Sequence, residues 1–252
     1  MRLIRPRPIV SSRAGAIGRA LAMIVVGAVA LAMLVGAPRS QPTALAALAL
    51  AALLGLGIGG VSLVRCFGRP ARARLLDELS RLLAVTFDDA YALIVEPHLP
   101  EVSDDLAALL VGPGGVRALI VRGWDGHYRV TGRKWEYDAR GNRGWINCRT
   151  NPSFDGQAVT DAVARWAREH DVDPKLPIAA AIAFPQRHSR IVLQEPDEEV
   201  VTWENAPWWA QRIGRVQRMD APRVARVVES VMEASERAAG RRAARAARTV
   251  SE

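Results

Sequence analysis

Lysine and cysteine are both scarce in this chain, and each shortage removes a class of explanation. Lys134 and Lys175 are the only lysines among 252 residues. The formal net charge of +8 is therefore carried by arginine, which stays protonated and cannot act as a base as a tuned lysine can. Cysteine occurs only at Cys66 and Cys148. Two residues so far apart give neither a disulfide framework nor a metal-ligand spacing, so a reduced, cytoplasmic setting is expected. The histidines, His98, His127, His170 and His188, are also far apart. They read as surface or loop residues, and no metal site is assigned. The chain has no Gly-x-x-x-x-Gly-Lys phosphate loop, no nucleophile elbow and no Cys-x-x-Cys pair. No long-period repeat is visible.

Acidic residues are missing from the first part of the chain. Residues 1–19 carry Arg2, Arg5, Arg7, Arg13 and Arg19 and no acid. Residues 20–37 are uncharged and strongly apolar, and residues 43–64 form a second such run. Each approaches or reaches the ~20 residues that cross a hydrocarbon core. Pro38 and Pro42 lie between them, where they end one helix and space the next. A transmembrane helical hairpin over residues 20–64 is expected, with the bilayer as partner. Arg65, Arg69, Arg72 and Arg74 follow the second run. Basic flanks remain inside, so both termini of a two-span membrane protein are expected to be cytoplasmic. Gly55 and Gly59 have the spacing that lets two helices approach closely.

What the chain does have is a distinctive central stretch, residues 104–126, DDLAALLVGPGGVRALIVRGWDG. Two short apolar runs flank Gly112-Pro113-Gly114-Gly115. Continuous apolar runs bounded by turn residues read as strands buried on both faces. Gly and Pro supply the backbone angles of a tight reversal. If Pro113 and Gly114 are the loop residues, Gly112 sits opposite Gly115, Ala107 opposite Ile120, and Asp105 opposite Arg122. Side-chain alternation then puts Asp105, Ala107, Ile120 and Arg122 on one sheet face. Asp105 and Arg122 would form a cross-strand ion pair.

The remaining segments follow by periodicity. Leu75, Leu76, Leu79, Leu82 and Leu83 form a helical stripe from Ala71 to about Val85. Residues 91–95 read as a strand, 127–131 with 134–137 as a hairpin, 138–142 as a turn and 144–150 as a further strand. A helix spans 157–170, with Asp155 and Gly156 as candidates to cap it. Strands follow at 177–184, 191–193 and 200–203. Pro207 opens a helix, another begins near Pro222, and a basic tail starts at Gly240. The order is mixed α/β, a central mixed sheet with helices on both sides. The expected divisions are a basic N-terminus (1–19), the hairpin (20–64), a basic linker (65–74), an α/β domain (75–236) and a tail (237–252).

The central stretch resembles the nuclease-related domain family, of the restriction-endonuclease-like superfamily. Leu109-Leu110-Val111-Gly112-Pro113, Gly115-Val116 and Trp124-Asp125-Gly126 match its pattern, as do Asn151, Pro152 and Gln157. The resemblance implies a restriction-endonuclease-like mixed sheet with an α-β-β-β-α-β core. It also implies a metal site, which this chain has lost. Ala107 stands where the family has Asp, Ile120 where it has Glu, and Arg122 where it has Lys. Alanine and isoleucine offer no ligand atoms to a hard cation. The expectation is a catalytically inactive domain that binds nucleic acid or a protein partner at the membrane's inner face. Arg122, Arg129, Arg133, Trp124 and Trp208 are the candidate binding residues. The first alternative is an active nuclease that uses Mg²⁺ through shifted groups, with Asp105, Glu78, Asp125 and Gln157 as candidates; otherwise no cofactor is expected. The second alternative makes the hairpin the working part of an exclusion or assembly protein.

Overall fold

The computed structural model describes residues 1–6, 13–36, 42–67, 71–139 and 144–248. The expected linker at 38–42, the turn at 138–142 and the end of the basic tail lie wholly or partly outside them. Contacts divide the chain into two units, Met1–Ile9 with Ala71–Glu252, and Val10–Pro70.

The larger unit is α/β with two mixed sheets. In chain order its elements are β1 (Arg2–Ile4), α3 (Ala71–Thr86), β2 (Ala92–Val95), β3 (Ala108–Gly112), β4 (Gly115–Val121), β5 (Gly126–Gly132) and β6 (Lys134–Asp138). Then come β7 (Trp145–Asn147), α4 (Pro152–Glu169), β8 (Ile178–Phe184), β9 (Ser189–Pro196), β10 (Glu199–Thr202), α5 (Ala206–Gly214) and α6 (Ala221–Arg248). A six-stranded sheet runs β1-β2-β3-β4-β8-β10. The β2-β3-β4 meander is antiparallel, whereas β1 joins β2, β8 joins β4 and β10 joins β8 in parallel.

Strands covered on both faces lose the polar alternation of a half-exposed strand. β2 and β3 are buried throughout, and β4 is buried except at Val121. One face packs Leu93, Leu110 and Leu119 against Leu76, Leu79 and Leu83 of α3 and Trp209 of α5. The other packs Ile94, Leu109, Val111 and Ile120 against Val159 and Val163 of α4 and Val224, Val227 and Val231 of α6. Each such side chain removed from water contributes about 1.5–3 kcal/mol.

The hairpin of residues 127–137 does not extend the central sheet. It joins a second, four-stranded sheet, β7-β6-β5-β9, through a parallel pairing of β5 with β9. Half-exposed strands need only one cover, and Val130 and Trp135 find theirs on Ile182, Phe184 and Val200.

Helix α4 begins earlier than its apolar stripe. Asn151 caps it: its side chain accepts from the Ser153 amide at 3.0 Å, with Pro152 in the first turn. Asp155 and Gly156 therefore lie inside the helix rather than capping it. At the other end of the chain, α6 continues through Gly240 to Arg248.

The smaller unit pairs α1 (Arg13–Gly36) with α2 (Pro42–Phe67). The contact is made of glycine: a Cβ on Gly55 would lie 2.7 Å from Gly27 Cα, and one on Gly27 would lie 2.7 Å from Leu56 N. Gly59 is buried, while Val25, Val26, Leu53 and Leu54 are exposed. The expected transmembrane hairpin needs correction. Among the described residues, no helix is long and apolar enough to cross a membrane. The two-span membrane location inferred from the flanking arginines falls with it.

Candidate functional site

Three glycines and a proline build the centre of the sheet. Gly112 pairs with Gly115 across the β3–β4 turn. A side chain at Gly112 would enter the Tyr91 ring, its Cβ only 2.1 Å from Cδ1. Gly115 has φ +104° and lies so close to Pro177 O that a Cβ would come within 2.6 Å. Pro113 O accepts from the amides of Arg218 and Met219 at 2.8 and 3.0 Å, which ties the turn to the segment before α6.

Arg122 follows the last residue of β4, its amide still donating to Ala183 O at 3.0 Å. Its guanidinium lies between two carboxylates. Nη1 donates to Asp105 Oδ1 at 3.2 Å, and Nη2 donates to Asp155 Oδ2 at 2.6 Å. Asp105 comes from the turn before β3, where it and Ser103 hold one another through two 3.0 Å hydrogen bonds. Asp155 comes from the first turn of α4. The Asp105–Arg122 contact forms beyond the β3–β4 ladder, which ends at Ala108 opposite Leu119, and the cap at Asn151 places Asp155 in the first turn of α4. Asp155 was not singled out from the sequence as a partner of Arg122. Its only signal there was its place four residues after Asn151.

Ala107 and Ile120 do not share a face. Ala107 falls with Leu79 and Leu83 on the α3 side, and Ile120 falls with Val159 on the α4 side. Ala107 precedes the first residue of β3, so the strand's alternation does not extend back to it. Both are buried, at 2% and 0% exposure, among hydrocarbon.

The other candidates lie elsewhere. Glu78 sits on α3, Asp125 pairs with His188 at 2.6 Å, and Gln157 is exposed on α4. Among the described residues, no three His, Cys, Asp or Glu side chains are grouped to hold a metal ion.

The candidate binding arginines are paired with carboxylates. Arg129 donates to Glu136 at 2.6 Å and lies 4.6 Å from the Trp145 ring centre. Arg133 pairs with Asp197 at 3.2 Å and Glu198 at 3.5 Å. Hydrogen bonds from Lys134 and then Arg129 hold the Glu136 carboxyl below the ordinary glutamate range. Trp124 packs against Tyr128, Trp135 and Phe184 at 5.0–5.7 Å. Burial raises the Tyr128 hydroxyl and the Cys148 thiol, which keeps both protonated at neutral pH.

Two tryptophans do face solvent, each beside an arginine. Trp208 is 61% exposed, with Arg212 at 5.2 Å. Trp203 is 41% exposed, with Arg187 at 4.1 Å. Arg212 is 3.8 Å from Glu199; Arg187 has no carboxylate partner among the described residues.

Compared with family models, curated proteins and solved structures, the chain finds no match. The site is therefore read on its own geometry.

Proposed function

We propose that this chain is a binding module on a nuclease-related scaffold, with no phosphodiesterase activity of its own, and that its ligand is single-stranded nucleic acid. The observation that carries the reading is the Arg122 guanidinium held between Asp105 and Asp155. Phosphodiester cleavage of this type needs carboxylates free to grip a hard cation. Here the two nearest carboxylates are already occupied by a fixed organic cation. The order α3-β2-β3-β4, then α4-β8, agrees with the α-β-β-β-α-β core that the nuclease-related resemblance implies.

Binding is assigned to the exposed tryptophans rather than to the neutralised arginines. Every base has a π face, so stacking tolerates sequence and suits single strands. Arg187 and Arg212 add positive charge beside each ring. Incubation with labelled single-stranded DNA and RNA, with Mg²⁺ or Mn²⁺, tests both halves. The expected result is a salt-dependent complex and uncut strands. Metal-dependent cutting that Asp105→Ala abolishes would replace this reading with an active nuclease. A protein partner is the second reading, favoured by the pairing of Arg122, Arg129 and Arg133 with carboxylates. A salt-insensitive response, or no complex with nucleic acid, selects it.

A further inference from the structure

The smaller unit is built inside out. Its buried positions are small residues: Gly27 and Ala30 of α1, and Ala52, Gly55 and Gly59 of α2. Its large apolar side chains stand outside: Val25 and Val26 are each 59% exposed, and Leu53 is 73% exposed. Residues 20–37 and 43–64 contain no Asp, Glu, Lys or Arg. An exposed apolar surface of this extent marks an interaction site, and a helix that is apolar all round belongs in a buried setting.

Helix α2 shows which side takes the partner. Ala52, Gly55 and Gly59, spaced by three and four residues, form its buried line, and Gly55 meets Gly27 of α1. A second line repeats that spacing: Leu50, Leu53, Gly57 and Gly60. With 3.6 residues per turn, it lies on the side of α2 turned away from Gly55. A Cβ added at Gly57 or Gly60 would meet nothing within 4 Å among the described residues. Leu50 and Leu53, on the same line, stand out from the helix. Bulky side chains beside bare backbone form the knobs and holes of a helix contact. Helix α1 has no such second line, because over residues 21–35 its one glycine is Gly27, already engaged with Gly55.

We infer that two copies of this chain associate through the outer line of α2. The surface carries no charge, so its partner must be equally free of charge, and the holes at Gly57 and Gly60 require projecting apolar side chains. The α2 helix of a second copy supplies both. A two-fold axis sets the line of each copy on the same line of the other, so one patch serves as both halves of the contact. The contact lies in the smaller unit and is independent of the nucleic-acid reading, so the failure of either leaves the other standing.

The purified 252-residue chain is weighed by light scattering over a dilution series, in a mild non-ionic detergent that covers the remaining apolar faces. The expected mass is twice the 27.4 kDa of one chain. Gly57→Leu fills a hole, and Leu53→Asn removes a knob; each is expected to raise the dimer dissociation constant by about tenfold or more. Val29→Asn places the same polar group on the outer side of α1 and is expected to leave the dimer intact. Amide exchange across residues 21–35 shows whether α1 and α2 remain paired in each variant. If Gly57→Leu unpairs them, Leu53→Asn decides alone. A single-chain mass for the wild type overturns the inference and leaves the face to a different partner. A dimer untouched by Leu53→Asn, or one weakened equally by Val29→Asn, overturns it as well.

Discussion

One oxygen of Glu199, Oε2, accepts from both Arg117 Nε and the indole of Trp209, each at 2.8 Å. Arg117 projects from β4, which is otherwise apolar, and is 6% exposed; Trp209 is 1% exposed. A cation this deep is tolerated only while its carboxylate is present. Glu199→Ala strands the guanidinium and is expected to cost about 3–5 kcal/mol. Replacing both charges, Arg117→Met with Glu199→Leu, is expected to recover most of the loss. Urea unfolding of the wild type, the single and the double variant measures the difference. A Glu199→Ala protein as stable as the wild type would show that the pair holds nothing together.

The β3–β4 turn makes a second prediction. Gly115→Ala forces a left-handed φ on a residue with a Cβ and drives that Cβ toward Pro177 O. Gly112→Ala pushes into the Tyr91 ring. Each is expected to cost about 1–3 kcal/mol or more, whereas Gly144→Ala, with no atom within 4 Å, is expected to cost only its φ strain. The midpoints of chemical unfolding rank the three.

The same turn explains what the sequence disclosed. Gly-Pro-Gly-Gly between two apolar runs fixes a loop length, and loop length fixes register. The Gly112–Gly115 pairing was legible for that reason; the Asp105–Arg122 ion pair also forms, but beyond the end of the ladder, where register no longer dictates side-chain direction. Other features had no local signal. β1 is a parallel edge strand of Arg2, Leu3 and Ile4, too short to show alternation, and its partner β2 lies far along the chain. The second sheet depends on β5 meeting β9, a pairing between distant segments that turn chemistry does not announce. Asp155 reaches Arg122 only because Asn151 starts α4 early. The apolar runs of α1 and α2 disclosed two helices that pair, but among the described residues no helix is long and apolar enough to cross a membrane.

Acid sensitivity follows from Asp173. A hydrogen bond from Arg223 holds its carboxyl below the ordinary range, with the Lys175 amide adding to the effect. The residue is 8% exposed. A carboxyl depressed in the folded state binds its proton more readily when unfolded. Its stabilisation is therefore complete above the unfolded value, near pH 4, and is lost as pH falls through the lower folded value. Stability of the wild type is expected to decline below about pH 4. Asp173→Asn is expected to start lower and to show a shallower decline. Unfolding free energies between pH 7 and pH 2.5 measure both slopes. Parallel curves for the two proteins would remove Asp173 from the acid response.

In the smaller unit the prediction rests on backbone proximity. Gly55 approaches Gly27 so closely that any Cβ meets main-chain atoms at 2.7–2.8 Å, and main chain cannot yield as a side-chain tip can. Gly55→Val is expected to separate α1 from α2, and Gly57→Ala, which meets nothing within 4 Å, is expected to leave them paired. Amide hydrogen exchange across residues 21–35 reads the outcome. Faster exchange in the first variant alone is expected, and equal exchange in both would show that the glycine contact is not what joins the helices.

The most direct test of the Arg122 site is to remove the cation that lies between its two carboxylates. Arg122→Ala leaves Asp105 and Asp155 near one another without their shared partner. Their repulsion is expected to destabilise the fold modestly, on the order of 1 kcal/mol, because both carboxylates are partly exposed. The vacated space then suits a divalent ion held by oxygen. Mn²⁺ at tenfold over its dissociation constant would restore about 1.4 kcal/mol. The variant is therefore expected to melt at a higher temperature with Mn²⁺ than without it, while the wild type, whose carboxylates are taken by Arg122, is expected not to respond. Phosphodiester cleavage is not expected in the variant, since Ala107 and Ile120 offer no ligand atoms. A wild-type protein stabilised by Mn²⁺, in a manner lost with Asp105→Ala, would mean that the guanidinium yields to metal and that the site is not closed.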